Sequence, residues 1–580
     1  MINQELAKIF YEIADYLEME GVAFKPYAYQ KAAISIETFK EDLGNIYKKG
    51  GLKALKEIPG VGESIALKIE EYIKTGKIKD YEKMKRKMPV DLGELIRVEG
   101  MGPKKAKILY EKLGVRTVKD LEVAAKAHKI APLFGFGEKT EKNILEGIEF
   151  LKRSKGRFLL GEILPKAKEV ENALKNLREV EKVEACGSVR RRKETIGDVD
   201  FLVISDKPQK VMDFFVSLPG VIKIWGKGTT KSSVRLKEGF DMDIRVVPKK
   251  SYGAALQYFT GSKEHNIVLR KIAIEKGLKL SEYGLFRGSK MIAGENEEEI
   301  YQKLGLEWVP PEIRENQGEI EAAQTHRLPR LLDYNDVKGE LHYHSDWDGG
   351  AESLEEMAEA AMAMEYEYIG VADHTKFLAI EHGLDEKQLA EQGKYIDKLN
   401  SKFQIPNPKQ IQNSKFKILK GCEANIMADG SIDIKDEALA KLDFVIAGVH
   451  SQMKMPKEKM TERIIKAMKN PHVDIISHPT GRILKRRDEY EVDFEKILRV
   501  AKETETILEI NAFPDRLDLS AQYIRRAKKT GVKMVINTDA HQKDHLRFME
   551  YGIAQARRGW AEKDDVINAW GIDKMLKMLK

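Results

Sequence analysis

Three patterns of apolar and polar positions follow one another along the chain. Over residues 1–155 they predict helices joined by short turns. Alternation then sets in. Gly197-Asp198-Val199-Asp200 passes into the apolar run Phe201-Leu202-Val203-Ile204, and Phe240-Asp241-Met242-Asp243-Ile244-Arg245-Val246-Val247 alternates throughout, so both segments predict strands. The polar stretch 310–336, with Pro310, Pro311 and Pro329, reads as a linker. From residue 337 onward, short apolar runs alternate with helical stretches, the pattern of repeated strand–helix units.

Composition sharpens this division. A chain of 580 residues is several domains long, and 42% hydrophobic with 33% charged residues describes a core-forming protein. No apolar run approaches the roughly 18–20 residues that span a bilayer, and Met1-Ile2-Asn3-Gln4-Glu5 begins no signal peptide, so no membrane partner is expected. Cys186 and Cys422 are too few for a disulfide framework, which fits a cytoplasmic protein. Residues 1–160 hold 31 Lys+Arg against 24 Asp+Glu, so the whole net charge of +7 sits in the helical front. Nine of the twelve histidines lie beyond residue 337. The front is thus placed to meet polyanions, and the back to bind metal.

In the front, Ile58-Pro59-Gly60-Val61-Gly62 leads into a helical run with Ala66 and Ile69, and Val98-Glu99-Gly100-Met101-Gly102 into Ala106 and Leu109. Gly135-Phe136-Gly137 is a weaker copy, with Glu141 in place of the alanine. Such a turn leaves N–H groups free at a helix N-terminus, where a phosphate fits. The segment resembles the helix-hairpin-helix family. The resemblance implies that Gly60, Gly62, Gly100 and Gly102 grip a DNA backbone without reading sequence. Pro26 to Ala33 resembles a helix of the small amino-terminal domain of DNA polymerase beta, which makes Lys68 the candidate Schiff-base lysine of a deoxyribose-phosphate lyase. Ser64 and Asp80 stand where vertebrate members carry lysines.

In the middle, the two-residue spacing of Asp198 and Asp200 puts them on one strand face, and Asp243 comes from the second strand. Carboxylates gathered this way call for divalent cations, two of which at roughly 3.5–4 Å clamp a transferring phosphoryl group. The Gly187-Ser188 turn, Arg191 and Gly197 supply donors and backbone approach for a triphosphate. Tyr258-Phe259-Thr260-Gly261-Ser262, followed by Asn266 and Arg270, resembles the nucleotide-selecting subdomain of family X DNA polymerases. That resemblance implies Tyr258 and Phe259 against the incoming sugar and Gly261 in the same turn. Asn266 would reach the base edge and Arg270 the template, with Mg or Mn as the ions.

In the back, six apolar strands end in candidate ligands: His342 and His344, His374, Glu423, His450, His478, and Asp539 with His541. Ligands at successive strand ends converge at the mouth of a (β/α) barrel, and imidazoles with carboxylates suit Zn, Mn or Fe. The series resembles the PHP family, which implies a distorted seven-stranded barrel holding up to three ions. Asp346-Trp347-Asp348-Gly349-Gly350 departs from the family pattern by one residue, so no ligand role is carried over to it. Asp373 is expected to support a neighbouring ligand, and Arg482 and Arg516 are candidate phosphate holders.

The expected fold is therefore multidomain. α-Helical helix-hairpin-helix domains occupy 1–88 and 89–155, an α+β polymerase-beta-like nucleotidyltransferase palm 156–248, and a nucleotide-selecting subdomain 249–312. A linker at 313–336 leads to a distorted (β/α)7 PHP barrel at 337–580. The expected activity is gap-filling DNA synthesis on gapped or primer-template DNA with dNTPs, by a monomer, with a PHP-type 3′–5′ exonuclease. The alternatives are a purely structural PHP half, or a template-independent nucleotidyltransferase.

Overall fold

The computed structural model describes residues 2–38, 42–58, 60–96, 98, 101–153, 156–378, 382–403 and 416–580. The chain divides into two compact units, residues 1–155 with 485–487, and residues 156–484 with 488–580.

The first unit is helical, from Ile2–Met19 to Glu138–Arg153. Its helices are bounded by local chemistry. Pro103 opens Pro103–Leu113 and Gly114, at φ 69°, closes it, while Val118–Lys126 starts with a Thr117–Asp120 capping box. The two expected front domains share one apolar core, running from Leu6 and Phe10 through Ile65 and Ile69 to Leu109, Leu121 and Ile144.

In the second unit, a five-stranded sheet runs in the order Lys182–Ala185, Asp198–Ile204, Asp241–Val247, Lys231–Leu236, Val221–Lys227. Asp198–Ile204 pairs in parallel with Asp241–Val247, in the register Asp198↔Asp241 and Asp200↔Asp243. Val199, Phe201, Met242 and Ile244 bury the other face. Residues 313–336 are not the expected free linker. Ile313, Ile320 and Ala323 are buried in the core of the nucleotide-selecting subdomain, with Leu269, Ile300 and Tyr301, because the stretch carries its own apolar positions between its prolines.

The last part holds two parallel sheets. One is Gly339–Tyr343, Tyr368–Val371, Lys417–Leu419; the other is Glu423–Asn425, Ile446–Gly448, Ile475–Ile476, Ile507–Asn511, Met534–Asn537. Only Lys420-Gly421-Cys422 separates the last strand of the first sheet from the first strand of the second. Single bridges join the remaining edges, His374↔Glu423 and Tyr343↔Ala540. The described residues thus form strand–helix units in two sheets rather than one continuous closed ladder. Seven of these eight strands contribute a side chain (Leu341, Tyr368, Leu419, Ile446, Ile475, Ile507, Val535) that joins Ile567, Trp570 and Met575 of the C-terminal segment in a single apolar cluster. Among the described residues, no helix is long and apolar enough to cross a membrane.

Candidate active sites

Both intact glycine hairpins present a helix start with no side-chain cap. Gly60 takes φ 75°, Val61 N–H donates to the Ile58 carbonyl at 3.0 Å, and Gly62 caps Glu63–Thr75. Met101 N–H likewise donates to the Val98 carbonyl at 3.0 Å and Gly102 caps Pro103–Leu113, whereas Gly100 lies outside the described residues. In the third copy Glu141 is buried and structural: its carboxylate accepts from Ile130 N–H and Ala131 N–H at 2.9 Å each and contacts His128 at 2.8 Å. Lys68 pairs with Asp80 at 2.5 Å. Burial opposes its charge, but the Asp80 hydrogen bond prevails and holds the amine above its ordinary pKa, the opposite of what a Schiff-base nucleophile requires.

The palm brings Asp198, Asp200 and Asp243 to one sheet face beside the Gly187 turn. Burial, then the charges of Asp198 and Asp243, push Asp200 up to about 7, the repulsion a divalent cation would relieve. Lys231 lies 3.3 Å from Asp243. Asp241 is not available to an ion, since Arg235 binds it at 2.8 and 2.9 Å and Trp225 Nε1 donates to it at 2.8 Å. Gly187 has φ 63°, and a Cβ there would sit 3.0 Å from Asp200 Oδ2, so this turn tolerates only glycine. Ser188 follows on the short helix Gly187–Arg190, and Gly197 leads into the aspartate strand beside Arg157. Tyr258 and Phe259 pack edge to face at 5.2 Å, with Arg245 over the Phe259 ring. Asn266 accepts from Gln257 at 2.6 Å and donates to the Tyr258 carbonyl at 2.8 Å, which fixes it behind the aromatic pair. Exposed Arg270 donates to the Asn266 carbonyl at 3.3 Å. Arg191, expected on the triphosphate, here donates to Glu315 at 3.1 Å and to the carbonyl of Thr260, beside Gly261.

The eight back-domain candidates converge. Glu423 is the hub: His374 Nδ1 lies at 2.9 Å, His478 Nε2 at 3.0 Å, His450 Nε2 at 3.3 Å and His342 Nε2 at 3.5 Å. Asp539 lies 3.2 Å from His344 Nε2, whose ring stacks on His541 at 4.2 Å. Among the described residues, four overlapping sets have their donor atoms within 4.8 Å of one another: His344, His374, His541; His342, His344, Asp539; His374, Glu423, His450; and His344, Asp348, Asp373. His342 Nε2, His344 Nε2 and His374 Nδ1 are buried and face the Glu423 and Asp539 carboxylates without hydrogen-bond geometry, so the donor set fits a metal centre. His478 and Asp539 both hold positive φ, 28° and 54°, strain that accompanies a fixed site.

Three orienting residues escaped the sequence reading. Glu509 holds His342 Nδ1 at 2.6 Å and Asn425 holds His450 Nδ1 at 2.7 Å. Asp348 holds His344 Nδ1 and the His374 amide at 2.8 Å each, so the shifted aspartate supports two ligands. Burial opposes the His344 charge, but Asp348 and Asp539 raise its pKa to about 10. Asp373 binds Ser345 through its amide and hydroxyl at 2.6 Å each. Glu509 was detectable as a lone carboxylate inside the apolar run Ile507-Leu508-Glu509-Ile510. Arg482, a candidate phosphate holder, here pairs with Glu194 at 2.7 Å, and Arg516 lies 3.5 Å from Asp539.

Comparison with known proteins places families along the chain. Family models match for a helix-hairpin-helix domain at 1–78, a SAM-like helix-hairpin-helix tandem at 92–149, the DNA polymerase beta palm at 161–221, the DNA polymerase beta thumb at 255–315 and the PHP domain at 340–513. The chain is 36% identical over 585 residues to the DNA polymerase/3′-5′ exonuclease PolX of Bacillus subtilis (strain 168), covering 100% of both chains. A probable phosphatase of Thermoanaerobacter sp. (strain X514) is 35% identical over 30% of this chain and 71% of its own. DNA polymerase lambda of Arabidopsis thaliana is 25% identical over 54% of this chain and 62% of its own.

Proposed function

Because the chain belongs to the family X DNA polymerases that carry a C-terminal PHP domain, we propose that it fills short gaps in DNA during repair and trims 3′ ends as a metal-dependent 3′–5′ exonuclease. The observation that carries this reading is the register of Asp198, Asp200 and Asp243 on one sheet face beside the Gly187 turn and the Tyr258–Phe259 pair.

In the polymerase site, Asp198 and Asp200 would hold both ions, and Asp243 would help hold one of them and activate the primer 3′-hydroxyl. Ser188, Arg191 and the Gly187 and Gly197 backbone receive the dNTP phosphates. Tyr258 and Phe259 crowd the sugar 2′ position, Gly261 lets the chain turn close to it, and Asn266 and Arg270 face the base pair. Bound Mg or Mn ions supply Lewis acidity and neutralise the charge of the departing pyrophosphate. The first hairpins (Gly60, Gly62, Gly100, Gly102) hold the DNA backbone.

The two back sheets are read as a distorted seven-stranded barrel, with the short strands Lys417–Leu419 and Glu423–Asn425 counted as one, an arrangement supported by the apolar cluster to which seven of the eight short strands contribute. At its mouth His342, His344, His374, Glu423, His450, His478, Asp539 and His541 would hold up to three Zn, Mn or Fe ions for phosphodiester hydrolysis. The same chemistry extends to abasic-site incision and 3′-phosphate removal. A deoxyribose-phosphate lyase at Lys68 requires release of the Asp80 pair. The working form is a cytoplasmic monomer.

A labelled gapped duplex with Mg or Mn, with and without dNTPs, tests the reading. D243N is expected to abolish extension and spare trimming, and H344A to do the reverse. Trimming that survives in folded H344A, or incorporation indifferent to the template, would remove the corresponding half of the proposal.

A further inference from the structure

The helix Met549–Arg558, which belongs to the PHP half, lies against the polymerase loop that follows the short helix Gly187–Arg190. Arg558 Nη1 donates to the Arg191 carbonyl at 2.8 Å and to the Glu312 carbonyl at 3.5 Å, and pairs with Glu315 at 3.3 Å. Glu315 is shared. It also takes Arg191 Nε at 3.1 Å and Lys193 Nζ at 3.4 Å. Elsewhere on the helix, Glu550 reaches Lys168 at 2.7 Å and Arg192 at 3.6 Å. Gln555 donates to Glu194 at 2.6 Å, beside the Arg482 pair. Arg191, Arg192 and Glu194, three residues of one loop, are therefore each held by a side chain from the PHP half.

The charge pattern gives this contact a direction. Three cations, Arg191, Lys193 and Arg558, meet the single carboxylate of Glu315 in a largely buried setting, an excess that suits the arrival of a polyanion. Burial and the neighbouring Arg558 and Arg314 charges also hold the Arg191 guanidinium below its ordinary pKa. A triphosphate can draw Arg191 away from Glu315 without stranding that carboxylate, because Arg558 and Lys193 still pair with it. We propose that Arg558 is a positioning residue for DNA synthesis: it fixes the Arg191 backbone at the end of the short helix Gly187–Arg190 and shares Glu315, so that Arg191 can turn to the incoming nucleotide. The proposal rests on the reading of Arg191 as a triphosphate ligand. It makes the PHP helix part of the polymerase pocket, independent of the hydrolytic centre.

Single-nucleotide gap filling by full-length R558M, R558K and R191A tests this, with methionine chosen to keep the apolar stem in place. R558M is expected to raise KM for dNTP about tenfold, the effect of a lost charge-assisted hydrogen bond. The Kd for gapped DNA and 3′ trimming of single-stranded DNA are expected to stay within about twofold of the parent chain. R558K, which keeps the charge on a single nitrogen, is expected to recover part of the loss. A KM within twofold in R558M, with a clear rise in R191A, overturns the role of Arg558. An unchanged KM in R191A instead overturns the triphosphate reading on which it rests. Parallel loss of trimming and DNA binding in R558M marks general damage and also overturns the specific role.

Discussion

Replacing Glu297 by glutamine is expected to destabilise the polymerase half in a manner that depends on pH. The Glu297 carboxylate is 4% exposed and accepts from Arg190 at 2.9 and 2.9 Å, from Arg314 at 2.7 and 3.3 Å, and from Trp308 Nε1 at 3.3 Å. Burial alone would raise its pKa. The two guanidiniums outweigh burial and lower it from 4.5 to about 2. That difference corresponds to about 3 kcal/mol of folding free energy, of the same order as the ~3–5 kcal/mol lost when one member of a buried pair is removed.

The sign follows from a folded pKa below the unfolded one. The contribution is complete above 4.5 and is lost as pH falls towards 2. Urea titrations followed by tryptophan fluorescence, with Trp308 as a local reporter, are expected to separate the parent chain from E297Q by about 3 kcal/mol at pH 7. The gap should shrink to roughly half by pH 3. A gap that stays constant between pH 7 and pH 3, or no gap at all, would refute the assignment of this stability to the ionised carboxylate.

Other consequences are equally specific. E509Q, which loosens His342, is expected to weaken metal binding and 3′ trimming by about 10–100-fold while leaving gap filling intact; equal loss of both activities would contradict it. E141A removes three acceptor contacts at the third hairpin and is expected to cost about 1–3 kcal/mol in the helical unit, measured by thermal melting of residues 1–155 within the full chain. D80N removes the main influence that keeps Lys68 charged, so borohydride trapping on abasic DNA is expected to quicken between pH 7 and 9; an unchanged rate would place any lyase elsewhere. Chelation is expected to stop trimming, and refilling the site with metal should release protons, because His344 is held charged up to a pKa of about 10 by Asp348 and Asp539. Refilling without proton release would contradict that charge state.

Much of this molecule is written locally. The two-residue spacing of Asp198 and Asp200 sufficed to put both on one strand face, because strand geometry has a period of two, and the register with the neighbouring strand then set Asp243 opposite Asp200. The eight candidate ligands were legible as a series because apolar runs lead into them, and parallel strands deliver such positions to one mouth. Glycine spacing marked the hairpins for the same kind of reason, a backbone turn that a side chain would obstruct.

Other features depend on partners remote in sequence, and only the tertiary structure decided them. Glu509 and Asn425 became orienting residues because packing brought them within 2.6 and 2.7 Å of imidazoles 167 and 25 residues away. Ile313, Ile320 and Ala323 of the expected linker became core because Leu269, Ile300 and Tyr301 supplied the apolar surface that covers them. Arg482 exchanged an expected phosphate for Glu194, 288 residues away, and Arg191 found Glu315 and Arg558. A charged side chain shows its type in the sequence. Its partner, and hence its pKa and role, is set by which opposite charge shares its burial, and that follows from the packing of elements far apart along the chain.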